Sequence, residues 1–404
     1  MGGKVLFTAS TYSHIVNFHL PYLRKFQKEG WTVHVACGGA PMPIADVERV
    51  IDLPFEKSMW SPQNFKAALL LRDTMRQEGY ELMITHTSLA AFFTRLALRG
   101  LGERPPVANM VHGYLFDDGT PRLKRALLLG AERCMAPATD LVLTMNRWDF
   151  EAAKKHRLGR EVVRIPGVGV VFSRFDSVQP DARQMLRGKL GIPEDAFVLI
   201  YAAEFSQRKS QSVVIRAMEH LPEQVRLILA GEGALREECR ALARTLGLED
   251  RVVFPGQIRD VPAWYAMADA VVSASRSEGL PFHIMEAMYA GLPVVASGVK
   301  GHVDLITDGA TGLLYPYGDG GACAERILQL ATSERLRREL ARNARANVEQ
   351  YALERVLPVV WAQYNRLVQR EAAVQKVRGG AGQATQHLKS CHQALPPVSG
   401  GSAF

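Results

Sequence analysis

Two glutamates eight positions apart, Glu278 and Glu286, bracket the stretch E-G-L-P-F-H-I-M-E. Pro281 stands where a first helical residue belongs, and Gly291 where a helix should stop. The apolar runs Ala270–Ala274 and Val294–Ala296 on either side suit buried parallel strands. The helix between them would be about ten residues, roughly 15 Å, long. Its amino end then opens at the carboxyl edge of the sheet, where doubly wound domains bind ligands. Free N–H groups at Phe282, His283 and Ile284, with the positive end of the helix dipole behind them, suit a phosphate. A carboxylate one and a half turns in can accept from two vicinal hydroxyls, as a ribose offers. On one helix the two acids would sit about 12 Å apart, beyond the roughly 5–9.5 Å of a glycosidase pair. Because Glu278 lies in the loop, that comparison is a loose one.

A second place with chemical character is A-A-E-F-S-Q-R-K-S, residues 202–210, at the end of another strand. If the sheet is doubly wound, Lys209 faces the helix start at Pro281. A cation there neutralises charge on a departing phosphate, a contribution on the order of 10²–10³ in rate. A third is V-A-N-M-V-H-G, which puts His112 and Gly113 at a strand end.

Together, E-G-L-P-F-H-I-M-E-A-M, the closing A-G-L-P-V-V, Lys209 and T-D-G-A-T-G-L-L resemble the family 4 glycosyltransferases, and E-F-S-Q-R-K, with Glu204 where the family has Arg, looks like their capsule and exopolysaccharide branch. These are retaining enzymes of the GT-B class. The resemblance implies two Rossmann-like α/β domains facing across a cleft. It implies catalytic roles for His112, Lys209 and Glu278, with Glu278 on the donor sugar's hydroxyls and His112 reaching over the sugar from the first domain. Donor binding would fall to Arg208, to Gly279, Leu280, Pro281, Phe282 and His283 through their backbone, and to Glu286 on the ribose. The family's G-R-x-x-x-x-K-G is altered here: Glu204 takes the place of the Arg and Ser210 that of the second Gly, leaving Arg208 to supply charge. His14 in the first turn is a weaker candidate, and so are His86 and Arg95, which fit either a place near an acceptor or a structural role. No Asp-x-Asp occurs, so neither a metal on the diphosphate nor any other cofactor is expected. The lone G-E-G at Gly231–Gly233 reads as a tight turn.

The chain has 404 residues, 47% apolar and 22% charged, enough for two soluble domains. Five scattered cysteines without a C-x-x-C pair argue for a reducing compartment. No apolar run reaches membrane-spanning length, and the N-terminus enters a strand pattern directly, so the cytoplasm is the expected location. Of the net charge of +8, six units fall within residues 1–180, concentrated in Pro121–Cys134 and Lys154–Arg160. Such patches suit an anionic membrane surface at about 1 kcal/mol per cation. Nucleic acid is disfavoured, because no aromatic residues interleave with them.

Strand and helix patterns alternate in two series. They divide the chain into a first Rossmann-like acceptor domain (1–174), a nucleotide-sugar donor domain (175–351), a helix across both (352–376) and a disordered tail (377–404). The resulting expectation is transfer of a sugar, from a UDP-sugar first among the candidates, to a lipid-linked or other saccharide. A nucleotide-sugar epimerase of the same fold and a noncatalytic binding subunit are the alternatives. A dinucleotide dehydrogenase is disfavoured, since no strand leads into a full G-x-G-x-x-G.

Overall fold

The computed structural model describes residues 2–392, with side chains through residue 373. Seven strands form the first sheet: β1 (Lys4–Ala9), β2 (Thr32–Cys37), β3 (Arg49–Asp52), β4 (Leu82–His86), β5 (Val107–Val111), β6 (Leu141–Thr144) and β7 (Glu161–Arg164). Six form the second: β8 (Phe197–Ala202), β9 (Val225–Ala230), β10 (Val252–Gly256), β11 (Ala270–Ser273), β12 (Val294–Ser297) and β13 (Leu313–Tyr315). The spatial orders are β3-β2-β1-β4-β5-β6-β7 and β10-β9-β8-β11-β12-β13. Neighbouring strands in both sheets are parallel, for example β1 with β2 and β4, and β8 with β9 and β11. Two separate parallel sheets are what the family resemblance implies.

The order decides where chemistry can sit. In each sheet the chain reverses its winding beside the first strand, between β1 and β4 and between β8 and β11. Loops leaving the carboxyl ends of those strands diverge there and leave a crevice. The strands themselves are apolar on both faces, as helix-covered parallel strands must be; β4 and β5 are buried throughout. Only β3 was not foreseen. Its four residues, R-V-I-D, lie half-exposed at the sheet edge and carry no apolar run to announce them.

The last helix, Leu353–His392, returns to the first domain. Trp361 packs edge-on to Phe26 at 4.7 Å, and Arg366 and Arg370 pair with Glu161. A parallel bridge between Val170 and Ala352 fastens its start beside the interdomain crossing. Helical backbone continues through residues 377–392, where composition suggests disorder. Once nucleated by the packed turns before it, a segment with Ala, Gln, Leu and Lys propagates despite its glycines. Residues 393–404 lie outside the described part.

Candidate active site

At the end of β8 the chain makes a tight loop and enters the helix Gln211–Ala217. Ser210 caps it in the left-handed region, φ +50°, which explains why glycine suits this position. The Tyr201 hydroxyl donates to the Lys209 carbonyl at 2.9 Å, holding the loop against the sheet. Lys209 is thereby aimed across to the β11 loop, where its ammonium meets Glu278 Oε1 at 2.5 Å. Arg208 takes the other oxygen at 2.9 Å. Burial alone would push the Glu278 carboxyl up, but Lys209 and Arg208 outweigh it and hold the group well below the usual carboxylate range. Two cations and one anion leave the cluster net positive, as an anionic ligand requires.

The helix after β11 runs Phe282–Tyr289, with Pro281 as its cap (φ −76°, ψ 117°) and not its first residue. This is a shift of one position, because Pro281 takes an extended ψ. No side chain caps the helix, so its first N–H groups remain available. The His283 ring turns inward to Ser273 at 3.1 Å, so that residue can offer a ligand only its backbone. Glu286 is buried and its carboxyl pKa is raised to about 7, chiefly by desolvation; a contact from Arg174 partly opposes the shift. Lys209, Arg208, Glu278, Glu286 and the helix start line one cavity of about 560 Å³, within the usual size of ligand sites.

The opposite wall comes from the first domain. His112 follows β5, and a Cβ added to Gly279 would overlap its carbonyl. Asn146 Nδ2 donates to the Gly279 carbonyl at 2.9 Å. Behind this contact Lys300 reaches into the first domain and binds Asp149 at 3.0 Å and the carbonyls of Tyr114 and Phe116 at 2.8 and 3.2 Å. These bonds set the two loops against each other. Gly279→Ala is therefore expected to force the lobes apart. Affinity for a ligand held in this cavity should fall by about five- to thirtyfold, as loss of one to two kcal/mol implies, while the melting temperature changes little; isothermal titration and thermal unfolding check it.

Two family models match the chain. Glycosyltransferase Family 4 covers residues 22–168, and Glycosyl transferases group 1 covers residues 182–347. EpsD of Bacillus subtilis (strain 168), described provisionally as a glycosyltransferase, is 34% identical over 363 residues, spanning 88% of this chain and 95% of its own. The chain belongs to the GT-B glycosyltransferases. A D-inositol 3-phosphate glycosyltransferase of Xylanimonas cellulosilytica is 27% identical over 373 residues, covering 84% and 87% of the two chains. Among solved structures, HepE of Anabaena in complex with UDP-glucose superposes with a TM-score of 0.72 at 21% identity, over 92% and 99%; this likeness concerns the fold.

In this glycosyltransferase the structure gathers most of the sequence-derived candidates around one cavity. His14, His112, Arg208, Lys209, Glu278, Gly279, Leu280, Pro281, Phe282, His283 and Glu286 all line it. His86 does not; it lies buried behind His14 and His112. Arg95 does not line it either. It is fully buried against Glu132 at 3.0 Å and the Thr139 hydroxyl, which is a structural role. Glu232 of the G-E-G segment lines the cavity as well, although its glycines are required by close approach to Ala203 and Phe205. Sequence reasoning missed Arg174, which comes from the interdomain crossing, and Lys300, whose partners are 151 and more residues away. It also passed over His19. The spacing H-x4-H with His14 was the available signal.

Proposed function

We propose that this glycosyltransferase moves a sugar from a nucleoside-diphosphate sugar, a UDP-sugar first among the candidates, to a lipid-linked saccharide in cell-surface polysaccharide synthesis, retaining the anomeric configuration. One observation carries the reading: Lys209, the uncapped helix start and both glutamates face a single cavity that His112 closes from the other domain. In this reading the diphosphate rests on the N–H groups after Pro281, Lys209 neutralises the leaving phosphate, and Glu286 accepts from the ribose. The bond from the anomeric carbon to the phosphate oxygen breaks as the acceptor oxygen bonds on the same face. The acceptor proton passes to the departing phosphate, so no protein base is assigned. Lys209 and Arg208 supply the charge that a divalent ion supplies elsewhere, so added Mg²⁺ is expected to leave the rate unchanged.

A second cavity, about 650 Å³, shares His112, Arg208 and Gly279 with the first and extends past Gly113 toward Asp117, Arg276 and Tyr317. It is the natural acceptor lobe. Nearby on the first domain, the helix Arg122–Met135 exposes Leu123 (85%) and Leu127 (59%) beside Arg122 and Lys124. No helix among the described residues is long and apolar enough to cross a membrane. A basic, leucine-studded face instead suits peripheral contact with an anionic leaflet. Leu123→Glu with Leu127→Glu is expected to weaken binding to phosphatidylglycerol vesicles by about tenfold or more, measured by co-sedimentation, with donor binding intact.

Thermal-shift measurements against UDP-, GDP- and ADP-sugars test the donor, and the anomeric coupling constant of the product tests retention. Stabilisation by none of the donors, or turnover of donor to an epimerised sugar without any acceptor, would overturn the proposal.

A further inference from the structure

Four histidines converge at the carboxyl edge of the first sheet, and the proposed transfer uses at most two of them. His14 lies on the short helix Tyr12–Phe18 after β1, where the Thr11 side chain caps the helix by accepting from the His14 N–H. His19 sits at the break between that helix and the next. His86 ends β4, and His112 follows β5. Because β1, β4 and β5 are adjacent in the sheet, their outgoing loops deliver the four rings to one point. One ring nitrogen from each lies within 4.8 Å of the other three.

The approach is close and has an unusual balance of donors and acceptors. His14 Nε2 and His19 Nε2 are 3.3 Å apart, and His86 Nδ1 and His112 Nε2 are 3.2 Å apart. The His19 and His86 rings stack at 3.7 Å. His19 Nδ1 and His86 Nε2 are buried without a hydrogen-bond partner. Buried polar atoms of that kind are rare and costly. The backbone also works to hold His86 in place: Thr87 is a non-glycine residue at φ +60°, a conformation costing roughly 1–3 kcal/mol. The Thr87 hydroxyl oxygen accepts from the Ser10 N–H at 3.0 Å, which ties β4's end to β1's. Burial lowers the pKa of all four imidazoles, His14 to about 4.

We propose that His14, His19, His86 and His112 form a binding site for one transition-metal ion of the Zn²⁺ or Co²⁺ class. Tetrahedral coordination with metal–nitrogen bonds of about 2.0–2.1 Å puts the ligating nitrogens about 3.3–3.4 Å apart; two of the six pairs stand at 3.3 and 3.2 Å and all lie within 4.8 Å, so small ring movements would close the set on an ion. An all-imidazole donor set selects Zn²⁺, Co²⁺, Ni²⁺ or Cu²⁺ over Mg²⁺ and Ca²⁺. The expectation that no metal sits on the diphosphate is a separate matter, since it rests on the missing Asp-x-Asp and on Lys209. A four-nitrogen site is closed and so structural: it would fix the His112 loop against which Gly279 packs.

The test uses the untagged full-length chain, stripped with chelator, dialysed against Co²⁺ or Zn²⁺ and assayed by elemental analysis and visible spectroscopy. The expected result is one ion per chain, with Co²⁺ showing the intense ligand-field bands of a four-coordinate nitrogen site. His19→Ala with His86→Ala should weaken binding by more than about a hundredfold, while His156→Ala with His220→Ala leaves it unchanged. Should the first double variant fail to fold, the wild-type Co²⁺ spectrum and the single variant His86→Gln decide the matter. Substoichiometric uptake, a weak octahedral spectrum, or full binding by the folded His19/His86 variant would overturn the proposal and leave a network of neutral imidazoles. No donor enters the assay, so its outcome is independent of the transfer reaction.

Discussion

Lys209→Met is expected to lower kcat by about 10²–10³ while changing donor affinity much less. In the proposed transfer the ammonium acts on charge that develops as the phosphate leaves, and a preorganised group of that kind is worth on the order of 3–4 kcal/mol in the transition state. Methionine preserves the buried stem, so the fold should survive. The same variant carries a second signature. Glu278 is held well below the usual carboxylate range against the upward push of burial, by Lys209 and then Arg208. A depressed carboxyl contributes stability above its unfolded pKa and loses it as pH falls through the folded one. Without Lys209 the folded pKa rises, the contribution shrinks, and acid unfolding begins at a higher pH. Steady-state kinetics and an acid melt read the two effects separately. An unchanged kcat would remove Lys209 from the chemistry.

Glu286→Gln should move affinity and stability in opposite directions. As the proposed ribose acceptor, its charge-assisted bonds amount to roughly 1.5–3 kcal/mol, so donor affinity is expected to fall about ten- to a hundredfold at pH 8. Stability should rise instead. The folded carboxyl titrates at about 7, raised mainly by desolvation and partly offset by Arg174. Between the ordinary value of about 4.3 and about 7, the folded chain holds a proton that the unfolded chain has released. Stability therefore declines as pH rises through that window, and above it the folded state bears the whole cost of a buried carboxylate. Glutamine escapes this cost. Its stability relative to wild type should be greater at pH 8 than at pH 4.5 by on the order of 2–3 kcal/mol, measured by denaturant titration at both values. Equal offsets at the two pH values would mean that Glu286 is no strained binding group. A residue that lowers stability while serving a ligand is the usual compromise of an active site.

Local periodicity and spacing were enough to reveal the two alternating series of strands and helices, the helix after Pro281 and the two acids around it. Those features are written in adjacent residues: apolar runs buried on both faces, a proline at the helix start, a glycine past its end. The exception, β3, is a half-exposed edge strand whose burial is too slight to leave a pattern. The family resemblance, resting on a few such motifs, further identified Lys209 and His112 at the ends of strands in different domains. Only the folded chain decided which groups would meet. Arg174 against Glu286, Lys300 against Asp149, and Gly279 against His112 join residues more than a hundred positions apart. The four histidines come from three strand ends whose adjacency depends on β4 crossing over to lie beside β1. Pairings of this kind depend on the order in which strands enter a sheet and on how two sheets face each other. Each is a property of the whole chain's packing, and no short window of residues encodes it.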